Sequence, residues 1–180
     1  MIKEAVDKLK GYSRFLERKQ PDFDQIMGAG YYWIEDKRPD LAQQDFSRAI
    51  RIRPDNTQAL FMYGLSLIKQ DRLRVQSLDE RVWYEHDGTT YRDQVASLHQ
   101  KISKLASNAD DFDRAACLAY DIGDVRTAIH YWSMAIQSKP DNDLLIVVGR
   151  RVKTLEARSL IEKIEKELRI RKLAVHLYPL

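Results

Sequence analysis

The sequence predicts an all-α protein: helical hairpins stacked in a row, with a helical cap at each end. Three observations carry that prediction. Only 7 glycines and 5 prolines occur in 180 residues, and so few chain breakers favour long helices over many short strands. The stretch from Asp45 to Asn56 recurs eighty-six positions later, from Tyr131 to Asn142, with six of twelve positions identical. Finally, Ile26-x-x-Ala29-Gly30-x-x-Trp33 returns thirty-four positions later as Leu60-x-x-Tyr63-Gly64-x-x-Leu67. A mid-helix glycine costs about 1 kcal/mol against alanine, so its return at fixed spacing points to backbones in close approach.

Each copy of the longer repeat reads as a helix end, a stop and a new start. Ala42, Phe46 and Ala49 fall on one helical face at spacings of four and three, where small residues admit a neighbouring helix and the aromatic ring fills the space beside them. Pro54 ends the helix by removing a donor and restricting Arg53. Asp55 or Asn56 can then cap the next one.

The set Ala29-Gly30, Trp33, Ala42, Phe46, Ala49 and Pro54 resembles the tetratricopeptide-repeat (TPR) signature, with Ile26 where a tryptophan is usual. The copy ending at Pro140 is similar through Phe112, Ala115, Ala116, Ala119, Ala128, Trp132 and Ala135, and it departs by having Ala116 for glycine and Ala119 for the large aromatic. Thirty-four residues is the TPR period. The resemblance covers about two thirds of the chain and implies an α-α superhelix of three hairpins.

The organisation expected is an N-terminal capping helix over 1–20, a repeat over 23–56, an expanded repeat over 57–108, a third repeat over 109–142, and a C-terminal helical cap over 143–180. The N-terminal cap is traced by Ile2, Ala5, Val6, Leu9 and Leu16, before Pro21. The middle repeat exceeds one period by eighteen positions. Its first helix is expected from Thr57 to about Lys69, followed by an insert at about 70–91 and a displaced second helix along Val95, Leu98, Ile102 and Leu105. Within the insert, Asp87-Gly88 lies among β-prone residues of the 82–91 segment, which reads equally as a small hairpin or a structured loop. The C-terminal stripe Val148, Val152, Leu155, Leu160, Ile161, Ile164, Leu168 reads as one long helix or two. Terminal helices of this kind cover the last apolar face of a repeat stack.

Apolar residues make up 44% and charged residues 32% of the chain, and the net charge is +3, as expected of a soluble globular protein. So small an excess gives no strong field for nucleic acid. Between Arg150 and Lys172, nine Lys/Arg face four Glu, a local excess that suits either an anionic contact or a solvated helix face. Charge interrupts every apolar run in residues 1–8 and the longest run is Leu144 to Val148. No signal peptide or membrane-inserted segment is expected, and the cytoplasm is the expected location.

No catalytic chemistry is expected. His86, His99, His130 and His176 lack metal-ligand spacing and Cys117 has no CxxC partner, so neither a metal nor a cofactor is expected. The run Asp110-Asp111-Phe112-Asp113 lacks the spaced ligands and glycine of a calcium loop and reads as a helix N-terminus favoured by negative charge. Cys117 reads as a small apolar packing residue.

The TPR resemblance implies that the first helix of each repeat lines a concave groove. The second repeat supports this from its own residues, since Leu60, Phe61, Met62, Tyr63, Leu65, Leu67 and Ile68 make the helix apolar nearly all round. Leu60, Tyr63 and Leu67 match the packing positions, which leaves Phe61, Met62, Leu65 and Ile68 for the groove. The corresponding positions elsewhere are Met27, Tyr31, Ile34, Arg114 and Tyr120. The function expected is a non-catalytic adaptor that holds a peptide or helix of a protein partner there; filling of the groove by the chain itself is the competing reading, and homo-oligomerisation stays open. Three-repeat TPR proteins with terminal helices also resemble class II chaperones of type III secretion, which hold apolar client segments. A structural subunit contacting its assembly through the basic C-terminal helix is a further alternative.

Overall fold

The computed structural model describes residues 22–77, 91–153, 155 and 158–170. Eight α-helices occur among them: α1 Phe23–Glu35, α2 Pro39–Ile52, α3 Thr57–Ser77, α4 Tyr91–Leu105, α5 Ala109–Asp121, α6 Val125–Gln137, α7 Asn142–Lys153 and α8 Arg158–Ile170. The expected N-terminal helix over 1–20 lies outside the described residues. No strand is found among the described residues, and the fold is all-α.

Local chemistry places most helix starts. Asp22 accepts from the Gln25 amide at 2.8 Å while the Gln25 side chain reaches back to the Asp22 amide, a reciprocal cap. Pro39 opens α2, where its missing N–H costs nothing. Asn56 rather than Asp55 caps α3, accepting from the Ala59 amide at 2.8 Å. Asn108, Asp124 and Asp141 do the same for α5, α6 and α7.

Consecutive helices pack on one another along the whole row, and α3 also touches α5. The register of the first hairpin is set at Gly30. A Cβ there would lie 2.5 Å from Cε1 of Phe46, so the ring, fully buried, occupies the space a side chain would need. Gly64 repeats the arrangement with Leu98 of α4 at 3.3 Å and Leu118 of α5 at 2.9 Å. Gly30 and Phe46 stand sixteen positions apart, Gly64 and Leu98 thirty-four; the difference is the eighteen positions by which the middle segment is enlarged. Ala116 and Trp132, again sixteen apart, are both buried in the larger core cluster. The connections repeat as well. Lys37 and Gly123, eighty-six positions apart, both take left-handed backbone (φ 59° and 87°), and the following amides of Arg38 and Asp124 bond back to the carbonyls of Trp33 and Ala119 at 2.8 and 2.9 Å.

Two core clusters result. One holds Phe23, Ile26, Met27, Ala42, Phe46, Ala49, Ala59 and Met62 around the first hairpin. The larger one runs from Leu60 and Ile68 through Val95, Ile102, Leu118 and Trp132 to Leu145, Val152, Ile164 and Leu168. Ile50, Phe61 and Tyr63 pack against both and join them into one interior.

Two expectations are corrected. Helix α3 continues eight residues beyond Lys69 to Ser77, because no proline or glycine interrupts 70–77. Tyr91, assigned to the hairpin or loop segment, opens α4; the rest of 82–91 lies outside the described residues. The C-terminal stripe, read as one long helix or two, forms two helices, α7 and α8.

The contrast between two glycines of α1 tests the packing. Gly28 has no other group within 4 Å of where a Cβ would stand and is exposed, so Gly28→Ala should stabilise the fold by about 0.5–1 kcal/mol. Gly30→Ala should destabilise it by about 1–3 kcal/mol through overpacking, and Phe46→Leu in the same chain should recover part of that loss. Chemical denaturation of the three variants and the parent measures both effects.

Candidate functional site

The first helices of the hairpins, α1, α3, α5 and α7, meet edge to edge through a chain of polar contacts. Gln58 of α3 donates from Nε2 to the Tyr31 hydroxyl of α1 at 2.5 Å. Thr57 of α3 donates from Oγ1 to Asp111 of α5 at 2.5 Å, and Arg114 Nη1 lies 2.8 Å from the same carboxylate and 3.4 Å from Thr57 Oγ1. Arg151 of α7 donates from Nη1 to both oxygens of Asp113 at 2.7 and 2.9 Å and to the Cys117 sulfur at 2.9 Å. Trp132 of α6 adds an indole N–H to Asp113 at 2.9 Å. Four helices therefore share one face, with each seam closed by a side chain that reaches across it.

The residues expected to line a groove divide on this face. Tyr31, Ile34, Phe61 and Leu65 are half-buried, with Tyr31 set edge-on against Phe46 at 5.7 Å. Tyr120 is 43% exposed and leans on Trp132. Met27, Met62 and Ile68 are buried, which corrects their placement at an open surface. The physical reason is the position of α3. It packs against α2, α4 and α5, and a helix enclosed on several sides is apolar all round because it is core. Arg114 is turned into the α3–α5 seam against Asp111.

Sequence reasoning missed Asp113, Arg151 and Val147. Val147 is 38% exposed and stands one turn before Arg151 on α7, so α7 extends the shared face by one more helix. The signal was present in the spacing: Cys117 and Arg151 are one repeat period, thirty-four positions, apart. Cys117 is also corrected. It is half-buried beside an ion pair rather than packed among apolar groups. Burial, with the Asp113 carboxylate beside it, pushes its thiol up to about 12, which leaves it protonated at neutral pH and a poor nucleophile.

The aspartates after Asn108 are divided by their contacts. Asp110 is exposed, whereas Asp111 is buried. Burial alone would raise the Asp111 pKa. Hydrogen bonds from Thr57 and the Ser107 amide, together with Arg114, outweigh it and hold the carboxyl below its usual range. His99 is buried between α4 and α6 with its ring edge-on to Tyr131 at 5.7 Å, and burial lowers its pKa against the opposing pull of Asp124. Among the described residues no group of three or more His, Cys, Asp or Glu could hold a metal ion. None of their helices is long and apolar enough to cross a membrane. Comparison with protein-family models finds no match, and comparison with curated proteins finds none either.

Because the folded pKa of Asp111 is depressed, its contribution to stability is present above the unfolded value of about 4 and is lost as pH falls through the folded value. Asp111→Asn should therefore cost about 1–3 kcal/mol at pH 7, and the gap to the parent should shrink steadily below about pH 4. Urea midpoints measured from pH 7 to pH 3 check the sign and the window.

Proposed function

We propose that this protein is a non-catalytic adaptor of the tetratricopeptide-repeat type, which holds a peptide or helix of a partner protein across the face made by α1, α3, α5 and α7. The observation that carries this reading is the half-exposed apolar strip on that face. Tyr31, Ile34, Phe61 and Leu65 run across its first two helices, and exposed Tyr120 and Val147 continue it on the next two. Support for the repeat type comes from the spacings. Gly30 lies against Phe46 and Gly64 against Leu118 and Leu98, while Ala116 and Trp132, sixteen positions apart like Gly30 and Phe46, are buried in one cluster. Six apolar side chains along one surface of a charged protein suit capture of an apolar segment. Cys117, protonated beside the Asp113–Arg151 ion pair, is a poor nucleophile on that surface.

A photo-reactive phenylalanine analogue placed at Leu65 tests the reading. It should cross-link a partner in extracts of the source cells, whereas the same group at exposed Arg126 on α6 should not. Tyr120→Asp, at an exposed position of the strip, should weaken the Leu65 cross-link with helicity retained by circular dichroism. Equal labelling from both positions would overturn the assignment of this face.

A further inference from the structure

We infer that the segment this face receives is a basic amphipathic helix of another protein, an inference that rests on the adaptor reading and deepens it. The apolar strip is bordered by acid. Asp24 and Glu35 flank Tyr31 on α1, seven positions before it and four after, so that helical spacing sets all three on one side. Asp110, Asp113 and Asp121 hold the same kind of relation to Cys117 on α5. Against these five carboxylates the same sides of α3 and α7 offer Lys69 and Arg151. Arg151 is already engaged by Asp113, and Arg114 by Asp111. Asp24, Glu35 and Asp110 are exposed.

This acidic border stands out because the chain as a whole is positive, with net charge +3, and its basic residues collect elsewhere. Lys163 and Lys166 of α8 are exposed and line a cavity with Lys139 and Ile136 that is distinct from the shared face. An apolar strip edged by carboxylates is complementary to a helix with apolar residues along one side and Lys or Arg along its borders. Such a helix buries its apolar side over Tyr31, Phe61 and Leu65 and sets its cations beside Asp24, Glu35 and Asp110. An acidic segment of the same apolar pattern would meet like charge along both borders and be rejected.

Two synthetic peptides of equal length with one leucine pattern, one filled with Lys and the other with Glu, serve as probes for the full chain. Fluorescence anisotropy should show the Lys peptide binding at least about tenfold more tightly than the Glu peptide, with the difference falling as salt rises. The triple variant Asp24→Asn, Glu35→Gln, Asp110→Asn should weaken the Lys peptide by roughly tenfold. Its exposed positions leave the core untouched, and circular dichroism verifies that the fold is kept. A photo-reactive group at Leu65 locates the bound peptide. If the Lys peptide cross-links there and the triple variant weakens it, the inference stands. If both peptides bind alike at Leu65, or the triple variant changes nothing, the charge preference is overturned while the adaptor reading survives. If neither peptide labels Leu65, both fall. If Leu65 instead labels residues 1–20 of its own chain, whose sequence carries six Lys/Arg among apolar residues, a separate partner is excluded and the inference is overturned.

Discussion

The rest of the molecule depends on how closely two helices can lie within one hairpin. At Gly30 there is no side chain, and the Phe46 ring sits where one would be. The ring is wholly buried in return, and truncating an aromatic so enclosed costs about 3–5 kcal/mol. This interlock fixes how far α2 can rotate and slide along α1. The same relation at Gly64 and Leu98, with Leu118 pressing from the next hairpin, carries the geometry into the middle of the row. Once each hairpin is locked, the first helices have little choice about which residues they present together. The shared face is a by-product of packing behind it.

The polar seams show how such a face is kept in register by more than the apolar core beneath it. Asp111 receives Thr57, Ser107 and Arg114, and Asp113 receives Trp132 and Arg151. Two carboxylates only two positions apart in sequence thus bind α5 to α3 on one side and to α6 and α7 on the other. Taking carboxylates out of water is costly unless several donors meet them, and both buried Asp111 and half-buried Asp113 are met. Specific donor geometry resists sliding in a way that apolar contact alone does not.

Much of the helical order was legible from residue types. The spacing of Ala42, Phe46 and Ala49 marked the buried side of α2, all three being fully enclosed. Asn56 and the acidic run from Asp110 to Asp113 marked the starts of α3 and α5. Val95 and Ile102, read as resuming a helical stripe, are buried in α4. What periodicity could not supply was the number of neighbours around a given helix. An apolar second stripe on α3 has the same pattern whether it faces a partner or another helix of the same chain, and Met62 and Ile68 proved to face the latter. Cross-helix pairs such as Arg151 with Asp113 are likewise silent in local pattern, since the two residues are 38 positions apart. Asp113 reads locally as one more first-turn acid.

Helix α3 has one further property. Its counterparts α1 and α5 end at Glu35 and Asp121, which correspond to Lys69 in α3, yet α3 runs on to Ser77. At about 1.5 Å per residue those eight residues carry its axis about 12 Å past the level where its neighbours turn back. The row of first helices is therefore uneven, with a ledge at its second member. The profile along the row is lopsided, because the overhang stands next to one end of it and not the other.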